Sequence, residues 1–275
     1  MRTPLIESEN DVAGAYDAAQ AVVETHRRLS KFLRVGITLA DIDREAARIF
    51  DDLGCVSCFK GYRAGGLPPF PSHTCLSVND CVVHGTAGSH LEPLVEGDLL
   101  KIDVGVLRNG WIGDAAWTYA IASASDEQLR LMEASKACLA EGIPTLHPEH
   151  RYLTWAQTVH EIAEKRYPFH MIRGLGGHGY GKKLHAPPFI SNTVPTFPGE
   201  WPEAFESCRP GTLVAVEPML GAGTGRTVQG KREWPIRTAD GSMSVHHEAD
   251  ILITDAGPRN LTEGMAEELP DVVGV

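Results

Sequence analysis

Two stretches of this sequence repeat one pattern, and each of them ends in an acidic residue. Residues 97–103 (GDLLKID) and 211–217 (GTLVAVE) both run glycine, any residue, leucine, aliphatic, any residue, β-branched, acid. A His-Gly pair precedes each copy, and a further acid follows each, Asp114 after the first and Glu248 after the second. Acids on apolar strands are costly to bury unless a cation or partner offsets their charge. The repeat therefore predicts two related halves with a metal site between them.

Composition narrows the class of protein. The chain has 275 residues, of which 43% are hydrophobic, enough for a large core. Its formal net charge of -11 argues against a nucleic-acid partner, which would need a basic face. The opening MRTPLIESEN lacks the apolar core of a signal peptide, and no run is long enough to span a bilayer. We therefore expect a cytoplasmic protein that binds neither nucleic acid nor membrane.

The six cysteines are too sparse for a disulfide framework in a chain of this length. Cys55 and Cys58 form one CxxC pair, which alone could indicate a redox or zinc site. The sequence contains no second CxxC pair, so we expect reduced, partly buried thiols.

Capping residues and apolar spacing predict four helices, and apolar runs predict strands after each helical pair. The order indicates an α+β fold with a pseudo-twofold relation, in which helices cover one face of a curved antiparallel sheet. We expect a single catalytic domain, 1–275, with half-domains of roughly 1–122 and 123–262, and a surface loop rich in Gly and Pro at 61–73. The predicted helices run from Ser8 to about Phe32, from Thr38 to Gly54, from Ser125 to about Glu141, and from a cap at Thr154 to about Lys165. The predicted strands are Cys75 to Val78, Val82 to His84, Leu99 to Leu107, Trp111 to Ile121, Pro187 to Ile190, Leu213 to Val216, and Ile251 to Thr254.

The dipeptide at 109–110, Asn-Gly, is a strong signal for a two-residue hairpin turn. Counting outward from this turn pairs Gly105 with Asp114. Asp103 then lies on the same face as Gly105, because strand side chains alternate. Asp103 and Asp114 become diagonal neighbours within reach of a shared cation. A solvated polar face is the alternative, but the residues around Asp103 are too apolar for it.

The second half supplies Glu217 at the matching repeat position and Glu248 after two histidines. Four carboxylates with a histidine suit Mn, Fe or Co, with Zn also possible. A single calcium site is disfavoured, because the sequence has no loop dense in Asp and Asn. His246 and His247 remain ambiguous at this point, and His160 falls on a helical face. The other histidines outside the motifs are assigned to the surface, namely His73, His90, His147, His150 and His170.

Taken in order along the chain, the motifs resemble those of type I methionine aminopeptidases, and the likeness covers nearly the whole sequence. Each motif is weak alone, whereas five ligands in the family's order are specific. The motifs are Val83-His84-Gly85, Ile102-Asp103-Val104, Gly113-Asp114, Gly177-His178-Gly179, Val216-Glu217-Pro218-Met219 and Glu248.

The resemblance implies a pita-bread fold and a dinuclear metal site for Co, Mn, Fe or Zn. In this family pattern Asp114 and Glu248 bridge two divalent ions, Asp103 chelates one of them, and His178 with Glu217 completes the other. A water bridging the ions would be the nucleophile, since two cations lower its pKa.

The resemblance also implies roles around the substrate. Glu217 would be the base or proton shuttle, and His84 and His185 would contact the scissile amide and stabilise the tetrahedral intermediate. The free α-amine of a peptide or nascent-protein N-terminus would bind near the metals, which restricts cleavage to the first residue. A monomer is expected. The residues matching the side-chain pocket are Tyr62, Cys75, Leu184 and Trp234.

This sequence departs from the family around that pocket. Residues 64–69 are additional, residues 193–208 form a longer segment expected to act as a lip, and Leu184 replaces a usual aromatic. Such a pocket change is worth about 1–3 kcal/mol in discrimination. After Glu248 the family has a histidine, where this chain has Ala249.

Because of these departures, two functions other than methionine release remain as alternatives. One is an aminopeptidase, or a tailoring peptidase for a dedicated small peptide, with altered preference for the first residue. The other is a catalytically silent pita-bread binding protein. Such a protein would be free to lose ligands, and this sequence retains all five.

Overall fold

The structure is a computed structural model that describes residues 6–274. The first five residues and the last residue of the predicted domain lie outside this range. Five α-helices are present in the described part of the chain: α1 (Glu9–Phe32), α2 (Leu39–Leu53), α3 (Asp126–Gly142), α4 (Tyr152–Glu161) and α5 (Met265–Glu268). Shorter helical turns cover Ile143–Thr145, Ile162–Arg166 and Pro202–Phe205.

The seven predicted strands are all present, with bounds that differ by at most two residues from those expected, and the other strands have at most four residues each. The predicted loop 61–73 contains neither helix nor strand. The strands are β1 (Val56–Ser57), β2 (Cys75–Val78), β3 (Cys81–Val83), β4 (Leu99–Arg108), β5 (Trp111–Ile121), β6 (His170–Met171), β7 (Gly176–Gly179), β8 (Ala186–Ser191), β9 (Leu213–Val216), β10 (Met219–Gly221), β11 (Thr227–Gln229), β12 (Ile236–Thr238), β13 (Ser244–His246), β14 (Ala249–Thr254), β15 (Gly257–Asn260) and β16 (Val272–Val273).

Side-chain caps begin three of the four predicted helices as expected. Ser8 accepts from the backbone of Asp11, and Thr38 and Ser125 each form a reciprocal capping box. Gly54 ends α2 in the left-handed conformation, with φ of 65°.

The predicted cap at Thr154 is wrong. Helix α4 already begins at Tyr152, after an extended Arg151 that makes no side-chain cap. Arg151 pairs with Ser207 in an isolated antiparallel bridge, and the backbone N–H of Tyr152 donates to the carbonyl of Glu206. A contact with a segment about 55 residues away, and not the local capping signal, thus sets the start of this helix.

The strands form two larger and two smaller sheets. One larger sheet has the order β1-β4-β5-β16, with β2 also paired to β4, and the other has the order β15-β14-β9-β7-β8. The smaller sheets are β13-β10-β6 and β11-β12-β3. Among the strands of residues 6–274, every pairing is antiparallel except that of β16 with β5. The expected α+β architecture of helices on antiparallel strands is confirmed, although the strands divide among several sheets.

Two cores lie beneath the helices. Helices α1 and α2 bury residues such as Leu29 and Ile42 against Val104 and its neighbours on β4 and β5. Helices α3 and α4 contribute residues such as Leu131 and Trp155 to a second core that includes Ile251 of β14. Burying each such side chain contributes about 1.5–3 kcal/mol. Each of the two larger sheets is therefore backed by a pair of helices.

The two larger sheets meet where β5 approaches the start of β14. The backbone N–H of Glu248 donates to the carbonyl of Ala116 at 2.9 Å. The Asp250 carboxylate accepts from the backbone N–H of Asp114, also at 2.9 Å. These two bonds bring acids from both halves of the chain to one place. Within residues 6–274, none of the helices is long and apolar enough to cross a bilayer.

Candidate metal centre

The β4–β5 hairpin holds the first two acids as the Asn-Gly turn predicts. Asn109 and Gly110 both have positive φ, 51° and 83°, as a tight two-residue hairpin turn requires. Gly105 pairs with Asp114 in the observed register, so Asp103 is the diagonal neighbour of Asp114. A Cβ at Gly105 would lie 2.5 Å from the ring of Phe59 and 3.2 Å from Oδ1 of Asp114. Glycine here leaves room for the carboxylate.

Donor atoms from both halves converge in two sets. Asp114, His178 and Glu248 offer ligand atoms that all lie within 4.8 Å of one another, with His178 Nε2 3.8 Å from Asp114 Oδ2. Glu217, His246 and Glu248 form the second set under the same limit. Glu248 belongs to both. Asp103 belongs to neither set, but it lines the same cavity.

Burial makes this cluster of acids unfavourable without a cation. Removal from water raises the pKa of Asp103 to about 7 and that of Glu217 to about 8. Burial, followed by repulsion from the neighbouring acids, raises the pKa of Asp114 and Glu248 well above their usual range. Each shift means that negative charge is destabilised at this place. A divalent cation would reverse that effect.

Some carboxylate oxygens of the cluster also lack hydrogen-bond partners, which again indicates a place for a cation. Oδ1 of Asp103 and Oδ1 of Asp114 are buried without a hydrogen-bond partner. Buried polar atoms normally have partners, and a metal ion is one way to satisfy them. His178 can serve as a neutral ligand, because burial lowers its pKa to about 3. This donor set therefore fits divalent metal ions.

A cavity of about 290 Å³ opens over the acids. Apolar and aromatic side chains form most of its wall. The lining residues are Phe59, Tyr62, Ala64, Phe70, Cys75, His84, Asp103, Asp114, His178, Leu184, His185, Glu217, Trp234 and Glu248. The structure thus brings all the predicted site residues to one cavity.

Besides His178, two histidines form part of the wall, His84 and His185. His185 lies 2.8 Å from the Tyr62 hydroxyl through Nδ1, and its ring centroid is 4.4 Å from that of His178. His84 sits on a left-handed backbone, with φ of 58°, beside the edge of Trp234. Burial lowers the pKa of His84 to about 4, and it also lowers the pKa of His185. Both imidazoles are therefore neutral near pH 7.

The additional residues 64–69 contribute Ala64 to the cavity wall and contact Trp234. Trp234 Nε1 donates to the carbonyl of Pro68 at 2.9 Å, and the Trp234 ring meets Phe70 edge-on at 5.1 Å. Ala64 contributes to the lining, as does Leu184. All six cysteines are free thiols, and Cys75 is a buried one in this wall.

Sequence reasoning missed some contributors. Phe59 and Phe70 line the cavity, and Asp250 supports Asp114. His246, left ambiguous by the sequence, lies among the ligand candidates. Their spacing could have identified His246 and Asp250, because each is two residues from Glu248 and lies in one of the two strands that flank it.

The remaining histidines lie outside both donor sets. His247, next to His246, points the other way and packs edge-on against Trp117, with the ring centroids 4.6 Å apart. His150 and His170 are exposed, as expected for the surface. The structure places four others in half-buried positions, namely His73, His90, His147 and His160.

Comparison with known proteins gives a consistent result. A model of metallopeptidase family M24 matches residues 13–255. A methionine aminopeptidase of Aquifex aeolicus is 34% identical over 261 residues, which are 93% of this chain and 97% of the relative. Methionine aminopeptidase 1 of Mycobacterium tuberculosis is 36% identical over 261 residues, covering 92% of this chain and 94% of the relative.

Solved structures extend the likeness to three dimensions. The methionine aminopeptidase of Thermotoga maritima superimposes with a TM-score of 0.85 at 31% identity, over 95% of this chain and 99% of the other. A prolidase of Pyrococcus furiosus superimposes with a TM-score of 0.71 at 16% identity, over 94% of this chain and 65% of the other, and shows a common fold.

Proposed function

This chain belongs to metallopeptidase family M24, and we propose that it removes N-terminal methionine from peptides and nascent proteins with the help of two divalent metal ions. It has the pita-bread fold and is a metal-dependent hydrolase of the exopeptidase type. The observation that carries the proposal is the meeting of four carboxylates and His178 at the wall of one largely apolar cavity.

We propose that Asp114 and Glu248 hold both ions, that Asp103 holds one of them, and that His178 and Glu217 hold the other. The unpartnered oxygens of Asp103 and Asp114 support this assignment. The ions would be Co, Mn, Fe or Zn. When bound, such ions activate water and polarise the peptide carbonyl.

Glu217 is proposed to take the proton of the attacking water and pass it to the leaving amine. Its side chain is 12% exposed, against 4% for Asp114 and 3% for Glu248. It is thus more accessible from the cavity than the two proposed bridging acids. A carboxylate that both touches the cavity and stays close to the metal centre suits a proton shuttle.

His84 and His185 are proposed to hold the scissile amide. Each is a neutral imidazole and can donate one N–H. If the Tyr62 hydroxyl donates to Nδ1 of His185, the proton of that ring sits on Nε2. His185 could then donate from Nε2 to the carbonyl oxygen as negative charge develops there.

The wall of the cavity supports a preference for methionine. Phe59, Phe70, Leu184 and Trp234 surround the space beside the acids. A flexible, unbranched thioether fills such an aromatic pocket well and makes favourable sulfur–ring contacts. Within this small cavity the substrate's free α-amine would lie near the acids, which limits cleavage to the first residue.

A cleavage assay with defined metal tests the proposal. The protein loaded with Co²⁺ or Mn²⁺ should release methionine from Met-Ala-Ser faster than it releases leucine or proline from Leu- or Pro-led peptides, and Glu217→Ala should abolish cleavage. Preferred cleavage of the Leu- or Pro-led peptide would favour altered specificity, which the residue at 184 and the loop 64–69 motivate. Absence of both bound metal and cleavage would favour a silent binding protein.

We further propose that residues 1–275 act as one monomeric catalytic domain in the cytoplasm, with half-domains of roughly 1–122 and 123–262. The two helix-backed cores support this division. Light scattering of the purified protein would test the oligomeric state, because a dimer would double the mass of 29.8 kDa.

A further inference from the structure

The imidazole of His246 lies among the acids of the candidate metal centre, although the resemblance gives it no role. His246 ends β13 and pairs with Met219 of β10. Thr118 holds its backbone from both sides, because Oγ1 donates to the His246 carbonyl at 2.7 Å and accepts from its N–H at 3.0 Å. The side chain is 2% exposed. Packing thus sets the position of this ring.

Nε2 of His246 faces two of the candidate ligands. It lies 3.2 Å from Oε2 of Glu217 and 3.7 Å from Oε2 of Glu248, yet it is buried without an aligned hydrogen bond. Two donors bound to one ion at about 2.0–2.2 Å lie about 2.8–3.6 Å apart for bond angles near 90–110°. His178 stands in a similar relation to Asp114, at 3.8 Å. The separation of His246 from Glu217 falls in this range, and the separations of 3.7 and 3.8 Å slightly exceed it, so small side-chain shifts would bring these donors to a shared ion.

We propose that His246 is a nitrogen donor of the metal centre and shares one ion with Glu217 and Glu248. This inference rests on the proposed function and adds a sixth residue to the ligands that the resemblance supplies. A second imidazole changes the chemistry of the centre, since imidazole suits Zn whereas carboxylates suit Mn. The centre is expected to favour Zn²⁺ over Mn²⁺ more strongly than a centre with His178 alone.

His247, the residue immediately after the end of β13, provides a matched control. It is also fully buried, but its ring packs against Trp117 and belongs to neither donor set. Replacing it removes a buried imidazole without removing a proposed donor.

X-ray absorption of the Zn²⁺-loaded full chain can count the imidazoles directly. Wild type should show two imidazole nitrogens for the centre, His246→Gln and His246→Leu one, and His247→Gln two. Calorimetry with Zn²⁺ alone should show affinity reduced by about tenfold or more in both His246 variants, with a smaller reduction for Mn²⁺. Circular dichroism checks that each variant is folded.

A single imidazole in the wild type, or an unchanged count in His246→Leu, would overturn the proposal and leave His246 as a neighbour of Glu217 outside the metal shell. If the variants do not fold, the wild-type count alone decides. None of these measurements depends on peptide cleavage. A wild type with two imidazoles that cleaves no peptide would contradict the proposed function and leave this inference standing.

Discussion

The hydroxyl of Tyr62 and Nδ1 of His185 lie 2.8 Å apart, so the loop at 61–73 touches a histidine that is proposed to hold the scissile amide. Tyr62 follows the short strand β1, whereas His185 immediately precedes β8. This contact joins the first half of the chain to the second at the cavity rim. A residue of the loop can thus control which nitrogen of His185 carries the proton.

The first prediction concerns Tyr62→Phe, which removes the hydroxyl and keeps the ring. Loss of one hydrogen bond to a neutral group is worth about 0.5–1.5 kcal/mol, so kcat/KM for Met-Ala-Ser should fall by about 2–13-fold. Most of the loss should appear in kcat, because the oriented His185 acts on developing charge. Tyr16→Phe is the control, since its hydroxyl bonds the distant Glu263. Equal kinetics in wild type and Tyr62→Phe would remove any role for this contact.

The second prediction concerns the stability of the metal-free protein. Asp114 is buried, and its raised pKa shows that its charge is destabilised there. Asp114→Asn removes that charge, so the metal-free variant should melt no lower than the metal-free wild type at pH 8. Saturating Co²⁺ should stabilise the wild type by RT ln(1 + [L]/Kd), which is about 4 kcal/mol at 1,000 times Kd. The variant should lose most of this gain.

Melting curves with Co²⁺ and after treatment with a chelator measure both effects. Asp255→Asn, on an exposed turn, is the control and should behave as wild type. A metal-free Asp114→Asn protein that melts well below the wild type would show that this carboxylate stabilises the fold by itself.

The third prediction is that the free energy of unfolding falls in acid because His26 is buried in its neutral form. This residue is fully buried, with Nδ1 3.0 Å from the Tyr119 hydroxyl and Nε2 3.2 Å from the carbonyl of Ala115. Burial lowers its pKa from 6.5 to about 4. As the pH falls below 6.5, the unfolded chain therefore binds a proton at His26, whereas the folded chain binds it only near pH 4. The contribution of His26 to the free energy of unfolding is complete above pH 6.5. It is lost as the pH falls towards 4, by about 3 kcal/mol in all.

Urea unfolding at pH 7 and pH 4.5 would measure this change. His26→Gln should be less stable than wild type at pH 7, because a buried hydrogen-bonded ring is lost, and should lose less stability between the two pH values. His150→Gln, on the exposed surface, should follow the wild type. Parallel pH dependence in wild type and His26→Gln would contradict the assignment to His26.

The parts of the site that sequence could predict depend on local signals. The turn at 109–110 determines the register that brings Asp103 near Asp114, because a two-residue loop allows only one pairing. Glu217 could be located through its repeat. By contrast, the start of α4 depends on the bridge from Arg151 to Ser207, a contact between distant segments. The sequence also could not show that Trp234 would bond the carbonyl of Pro68, because that contact depends on the path of the inserted loop.

The last prediction concerns Leu184, which is 6% exposed and lines the cavity together with Ala64 of the inserted loop. Leu184→Phe adds a flat ring and reduces the space for branched side chains more than for an unbranched one. The ratio of kcat/KM for Met-Ala-Ser to that for Leu-Ala-Ser should rise by about 10-fold, within the range of about 1–3 kcal/mol for one pocket contact. Leu91→Phe, at a position 78% exposed, is the control and should leave the ratio unchanged. A ratio that falls in Leu184→Phe would show that this residue does not limit the width of the pocket.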